Sequence, residues 1–388
     1  MDYKAKIINF EFSYDSFVVN QGEANDKAFD QISPKIIQAS REGYDTVIGL
    51  FLVLGLLYQN NPSFFQLLEK IQLLSRDLGI KKIILITGRT EQFKLPTHLD
   101  YEIIHYPFEQ NFVYQSYKEH IDKLHPWNIH ATKFLFPTGI PARTNRLYLI
   151  KHFYETNFLK NAEWSFFKPW DSGDRQWCRE FMDDYSDDEY QQFFATCERT
   201  IDSKYIKCKL NASSNDSSIT EFERDPSWFD PDIFSNTLFS LITESVREEE
   251  SNLDTRFLTE KTWRTIVNRH PFIFSSTPEM YNYLKSQGFK TFEEYMLIKD
   301  YGNIVNEIER LDAIVKNVEY FLNNATLFET QIKADIEYNY ELFFKKIEEN
   351  YKLLSLFNTQ YNISKEELNF WFEQKSWLNL SKEFKINN

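Results

Sequence analysis

Between Pro62 and Gly88 the chain sets a helix-period segment directly against a fully apolar run, and this pairing restricts the fold more than any other stretch. Pro62-Ser63 opens a segment in which Phe64, Leu67, Leu68, Ile71, Leu74 and Leu78 recur close to helical spacing. Gly79 ends it. Lys82–Thr87, which reads KIILIT, then runs apolar without alternation and is closed by Gly88. A strand apolar on both faces must be covered on both, which is the signature of a parallel sheet flanked by helices. Lys6–Phe12, Tyr101–Tyr106 and Lys133–Phe136 are further strand candidates, Pro34–Glu42 a helix candidate, and Thr46–Leu57 an apolar run between them. The most apolar part, Val47–Tyr58, is too short for a bilayer, which needs about twenty residues, so no membrane span is expected.

Pro137-Thr138-Gly139-Ile140-Pro141 is rich in turn formers and marks a boundary, giving a first α/β domain over 1–137. Arg146–Leu159 follows as a helix. The region 169–230 reads as irregular, acidic and aromatic, with Asn211–Ser218 as a surface loop. A compact αβα pattern comes next. Thr259–Asn268 is helical until His270-Pro271, Phe272–Ser275 is a buried strand, and Thr277-Pro278-Glu279 caps a helix that stops at Gly288. These make a second α/β domain over 138–320. Helical spacing continues through Ile304, Ile308, Leu311, Val315, Val318 and Leu322, then Ile336, Tyr340, Phe344, Ile347 and Leu354. Ser364 with Glu367 resembles a capping box, so 321–388 reads as a helical extension.

Composition removes several function classes. The 388 residues carry a formal net charge of −14, which disfavours nonspecific binding to duplex nucleic acid. Glycine is scarce, at 10 residues, and neither GxGxxG nor GxxxxGK[ST] occurs, so phosphate loops of those kinds are excluded. Cys178, Cys197 and Cys208 have no CxxC spacing and suit a reducing compartment; with no signal peptide visible, a cytoplasmic location is expected. Asp230-Pro231-Asp232 has DxD spacing but reads as a proline turn. His120 and His125 lack a third ligand nearby, and no GxSxG elbow exists, so neither a metal site nor an α/β-hydrolase is indicated.

Thr259-Glu260-Lys261 carries the chemistry. Set at a helix start after Phe257-Leu258, it combines free backbone N–H groups, the positive end of the helix dipole, a lysine and a carboxylate. Lysine and dipole can neutralise a diphosphate, and the carboxylate can accept from a vicinal diol such as ribose. The same residues also serve as an ordinary capped helix start with a solvated lysine.

The run Thr259–Met296, TEKTWRTIVNRHPFIFSSTPEMYNYLKSQGFKTFEEYM, resembles the C-terminal signature of a GT-B glycosyltransferase-like family of tailed phages and large DNA viruses. The shared pieces are a TEK helix, a PFI strand, a short helix and a GFKTF segment. The TEK element is also similar to that of fucosyltransferases. Pro141–Leu149, followed by Phe158-Leu159 and Ser165, resembles the family's arginine-bearing helix start, with Asn145 where a histidine often stands. Phe239–Ser245 resembles the strand and acidic turn before the TEK helix.

The resemblance implies two Rossmann-like domains with a cleft between them, and a nucleotide-diphosphate sugar as donor. It implies donor contacts from Arg146, Thr243, Glu244, Thr259, Glu260 and Lys261. The acceptor hydroxyl would belong to a glycan, a protein or a modified nucleobase such as a hydroxymethylated DNA base. Transfer would be inverting and need neither metal nor cofactor. Glu11 and Asp15, at the end of the first strand, are the candidates for the catalytic base. A catalytically degenerate scaffold of the same fold, acting as a binding or structural protein, is the alternative.

Overall fold

The computed structural model describes residues 4–9, 21–51, 62–87, 95–118, 121, 124–138, 142–167, 169, 172–198, 231–244, 258–361 and 363. These hold two four-stranded parallel sheets with helices. The described residues fall into two compact units. One draws on Met1–Phe112 and Lys346–Asn379, the other on Val113–Ser251 and Leu258–Lys345. The division thus falls at Phe112/Val113, ahead of the turn-rich segment at 137–141.

In the first unit, β1 (Ala5–Asn9), β2 (Thr46–Phe51), β3 (Lys82–Thr87) and β4 (Glu102–His105) lie in sequence order, all parallel. Helix α1 (Gln21–Arg41) links β1 to β2, and α2 (Pro62–Asp77) links β2 to β3. Each link steps the same way across the sheet, so right-handed connections put both helices on one face. Alternation along the strands sorts the core accordingly. Ile8, Val47, Ile83 and Leu85 pack with Ala28, Ile32, Ile36 and Ala39 of α1 and with Leu67, Leu68 and Ile71 of α2. Ile7, Ile48, Ile84 and Ile86 point the other way, against Tyr106, Phe108, Tyr361 and Ile363. Pro34 lies inside α1, which begins well before the expected start. Gly79, at φ +76°, supplies the left-handed turn that ends α2.

In the second unit, α3 (Phe108–Tyr117) straddles the division and is followed by β5 (Phe134–Pro137), α4 (Thr144–Glu155) and β6 (Ala162–Ser165). Then come α5 (Ser172–Phe181), α6 (Asp187–Cys197), α7 (Pro231–Ser235) and β7 (Ser240–Thr243). Helix α8 (Glu260–Val267), β8 (Phe272–Ser275) and α9 (Pro278–Ser286) complete the αβα pattern. Helices α10 (Glu307–Asn324) and α11 (Glu329–Tyr361) close the described chain.

The sheet order is β6-β5-β7-β8, all parallel. From the central β5 the chain steps out to β6, then returns to the far side of β5 for β7. The carboxyl ends of β5 and β7 therefore flank a topological switch point, where ligands bind in open α/β sheets.

The abundant phenylalanines fill this unit's core. Phe134 meets Phe153 of α4 and stacks on Phe239, each with centroids 5.5 Å apart, and Phe239 meets Phe321 of α10 at 5.1 Å. The region expected to be irregular contains α5 and α6. Ser186 and Glu189 form a reciprocal capping box at the start of α6, whose Phe193, Phe194 and Cys197 are buried. Asp232 of the DxD-spaced turn lies in α7 and pairs with His125 at 3.1 Å. No helix among the described residues is long and apolar enough to cross a membrane.

Candidate active site

Helices α4 and α8 both begin at the carboxyl edge of the second sheet, beside the switch point. Their first turns meet the ends of β7 and β8. Asn145, in the first turn of α4, donates through Nδ2 to the carbonyls of Glu244 and Ser275, each at 3.3 Å. Arg146 is 4% exposed and donates to the Thr243 carbonyl at 3.4 Å. One helix start is thereby tied to two adjacent strand ends.

Glu244, fully buried one residue past β7, ties in the second helix. Its carboxylate accepts from the Thr259 amide at 3.2 Å, the Thr259 hydroxyl at 2.5 Å and the Thr262 hydroxyl at 2.6 Å. Thr259 caps α8 in turn, accepting from the Lys261 amide. A buried carboxylate at a helix N-terminus is held by these donors and by the dipole together. Its bonds commit it to α8, so it sets where Glu260 and Lys261 stand.

Glu260 and Lys261 keep 29% and 19% of their side-chain surface, and their charged groups lie 3.3 Å apart. Lys261 Nζ is also 3.2 Å from the Thr259 hydroxyl. Burial acts to raise the Glu260 pKa. The charges of Lys261 and Arg264, with backbone and side-chain hydrogen bonds, outweigh it and hold the carboxyl well below its ordinary value. Glu260 is therefore ionised at neutral pH. Burial lowers the Arg146 guanidinium to about 10, helped by the like charge of Arg143 and opposed by Glu244 and Glu260. Arg146 stays protonated, and it feels carboxylates from both β7 and α8.

Six of the expected residues, Arg146, Thr243, Glu244, Thr259, Glu260 and Lys261, thus form one cluster. Glu11 and Asp15 lie outside the described residues. The cluster also takes in Arg143, Asn145, Thr262 and Arg264, none of them among the expected donor contacts. Two of these had a spacing signal, since Arg264 is one turn on from Glu260 and Thr262 is three residues past the cap. Arg143, Arg146 and Lys261 gather with two carboxylates where two helices begin, and the charge of Arg264, one turn further along α8, acts on Glu260, an arrangement suited to holding a multiply charged anion. The hydroxyls of Thr243 and Ser275 and the Asn145 Oδ1 are buried without a hydrogen-bond partner among the described residues. Thr243 and Ser275 are directly paired across β7 and β8.

The GFKTF run plays a different part. Phe289 packs on Trp263 of α8 at 5.5 Å and Phe292 on Phe272 of β8 at 5.1 Å. The Lys290 amide and carbonyl are both bonded by Asn339 of α11. The segment clamps α8 and β8 in place. Among the described residues, no group of three or more His, Cys, Asp or Glu side chains is arranged to hold a metal ion. Comparisons with family models, with characterised proteins and with solved structures return no match.

Proposed function

We propose that this chain is a glycosyltransferase of the GT-B class whose second unit binds a nucleotide-diphosphate sugar. One observation carries the reading: Arg146 from α4 and Glu260 and Lys261 from α8 meet at the carboxyl edge of a doubly wound sheet, beside its switch point. The acceptor hydroxyl would attack the anomeric carbon while the bond to the nucleoside diphosphate breaks. Positive charge then grows on the sugar and negative charge on the leaving phosphate. Lys261, Arg146 and the α8 N-terminus are suited to that leaving charge, which is electrostatic stabilisation of the transition state. Glu260, ionised, is suited to accept from the two ribose hydroxyls. Glu11 and Asp15 are the proposed candidates for the base that takes the acceptor proton.

Binding of UDP, GDP, ADP and dTDP to the full chain, read by thermal stabilisation and calorimetry, tests this. At a hundred times its dissociation constant, a ligand of the folded state adds about 2.7 kcal/mol of stability. At least one nucleotide should do so. Lys261→Ala, which removes a partly exposed side chain, should weaken that nucleotide by about 2–3 kcal/mol, or roughly 30- to 150-fold. No response to any of the four would overturn the reading in favour of a non-catalytic scaffold.

A further inference from the structure

A cavity of about 420 Å³ opens in the second unit at the amino ends of its strands. Leu238 precedes β7, Thr132 precedes β5, and Phe158 and Asn161 precede β6. The cavity therefore lies on the edge of the sheet opposite the anion cluster, separated by the length of four-residue strands, about 13 Å. Its volume falls within the range of ligand pockets, roughly 300–1,000 Å³.

The lining is chemically distinct from the other edge. No Asp, Glu, Lys or Arg contributes to it. The polar groups are the hydroxyls of Thr132 and Thr326, the Asn161 amide, the His130 ring and the Asn323 amide, which donates to the Glu319 carbonyl; buried Leu238 and half-buried Phe158 are among the apolar lining. The side chains of Thr132, Thr326, Asn161 and His130 make no hydrogen bond among the described residues. An anionic ligand would find no lysine or arginine in the lining and would lose its hydration uncompensated. Hydroxyl and amide groups each donate and accept. They match a ligand whose own groups do the same around an apolar face, which describes a pyranose ring with its hydroxyl rim and its C–H surface.

We propose that this cavity binds an uncharged sugar residue of a glycan, independently of the nucleotide site. It would hold the protein on a glycan without entering the reaction.

The test uses the full chain and a panel of neutral trisaccharides built from glucose, galactose or mannose, by saturation-transfer NMR and calorimetry. At least one should bind with a millimolar or tighter dissociation constant. Thr326→Trp places a large side chain at an exposed rim position and should weaken binding tenfold or more; Asn161→Ala should weaken it several-fold by removing one amide. Lys261→Ala should leave sugar binding unchanged, and Thr326→Trp should leave nucleotide binding unchanged, so this site and the nucleotide site fail separately. Absence of binding by every sugar overturns the proposal, as does binding that Thr326→Trp leaves intact. Binding of uridine or adenosine in place of sugars, sensitive to Thr326→Trp, also overturns it and reassigns the cavity to a nucleobase.

Discussion

Replacing Glu244 by Gln should loosen α8 selectively. The carboxylate accepts three hydrogen bonds, at 3.2, 2.5 and 2.6 Å, all from the first turn of that helix or its cap. Glutamine keeps the shape and one acceptor oxygen, and a threonine hydroxyl can turn to accept from its NH2 group. What is lost is the charge. A hydrogen bond to an ionised group contributes about 1.5–3 kcal/mol against about 1 for a neutral one. A carboxylate at a partly buried helix N-terminus gains up to about 2 kcal/mol from the dipole. Allowing for overlap between these, Glu244→Gln costs about 2–3 kcal/mol. Glu244→Ala, which leaves two buried hydroxyls without their acceptor and Arg146 with only one of its two counter-charges, costs about 3–5 kcal/mol.

Hydrogen exchange followed by mass spectrometry reads the effect locally. Peptides covering Glu260–Val267 should exchange roughly 30- to 150-fold faster in Glu244→Gln, while those covering β3 keep their rates. Equal rates in wild type and variant across α8 would refute the assignment of Glu244 as the anchor of that helix. A uniform acceleration over both units would refute it too, because the loss would then be global.

Three further outcomes follow from single residues. His270 is buried, its Nε2–H donating to the Thr237 carbonyl at 2.9 Å and its Nδ1 accepting from the Ser240 hydroxyl at 2.8 Å. Burial lowers its pKa to about 4, so between pH 4 and 6.5 the unfolded chain binds more protons and stability rises with pH, by about 3 kcal/mol in all. Urea midpoints measured from pH 4.5 to 7 should lose that component in His270→Asn. Gly302→Ala would drive a Cβ into the fully buried Tyr281 ring, so it should cost about 3 kcal/mol, seen as a fall in Tm. Burial raises the Cys178 and Cys197 thiols to about 12, so iodoacetamide at pH 8 should leave both unmodified in the native protein, as peptide mass spectrometry would show.

The strands were legible wherever burial on both faces removed any ambiguity of period. Lys82–Thr87 and Phe272–Ser275 occupy the spans read from their apolar runs. Caps were legible for the same local reason, as at Thr259 and Thr277. Helices α5 and α6 were missed because they bury little, Cys178 on one and Phe193, Phe194 and Cys197 on the other, beneath a cover of charge. The Ser186-to-Glu189 spacing was the available signal. Pro34 suggests a helix start in the sequence, although Ala28 and Ile32 already continue the buried stripe on its N-terminal side. At the site, helix-end chemistry makes Thr259-Glu260-Lys261 legible as a capped helix start. Asn145, Thr262 and Ser275 are not legible in this way, because their meeting depends on β7 and β8 lying side by side while α4 arrives from across β5. Sheet order is a long-range property that no window of sequence contains.

The sequential strand order of the first sheet has a consequence for how the protein is made. One of its faces is closed by α1 and α2 as they are synthesised, but the other, which meets Tyr106 and Phe108 early, is completed only by Tyr361 and Ile363. Lys82 and its hydrogen-bond partner Tyr361 are 279 residues apart in the chain. At the ribosome's pace of roughly 5–20 residues per second, that interval lasts roughly 15 to 55 seconds. For that time a nascent half-covered sheet displays an isoleucine-rich surface, a natural target for chaperones that shield emerging polypeptides.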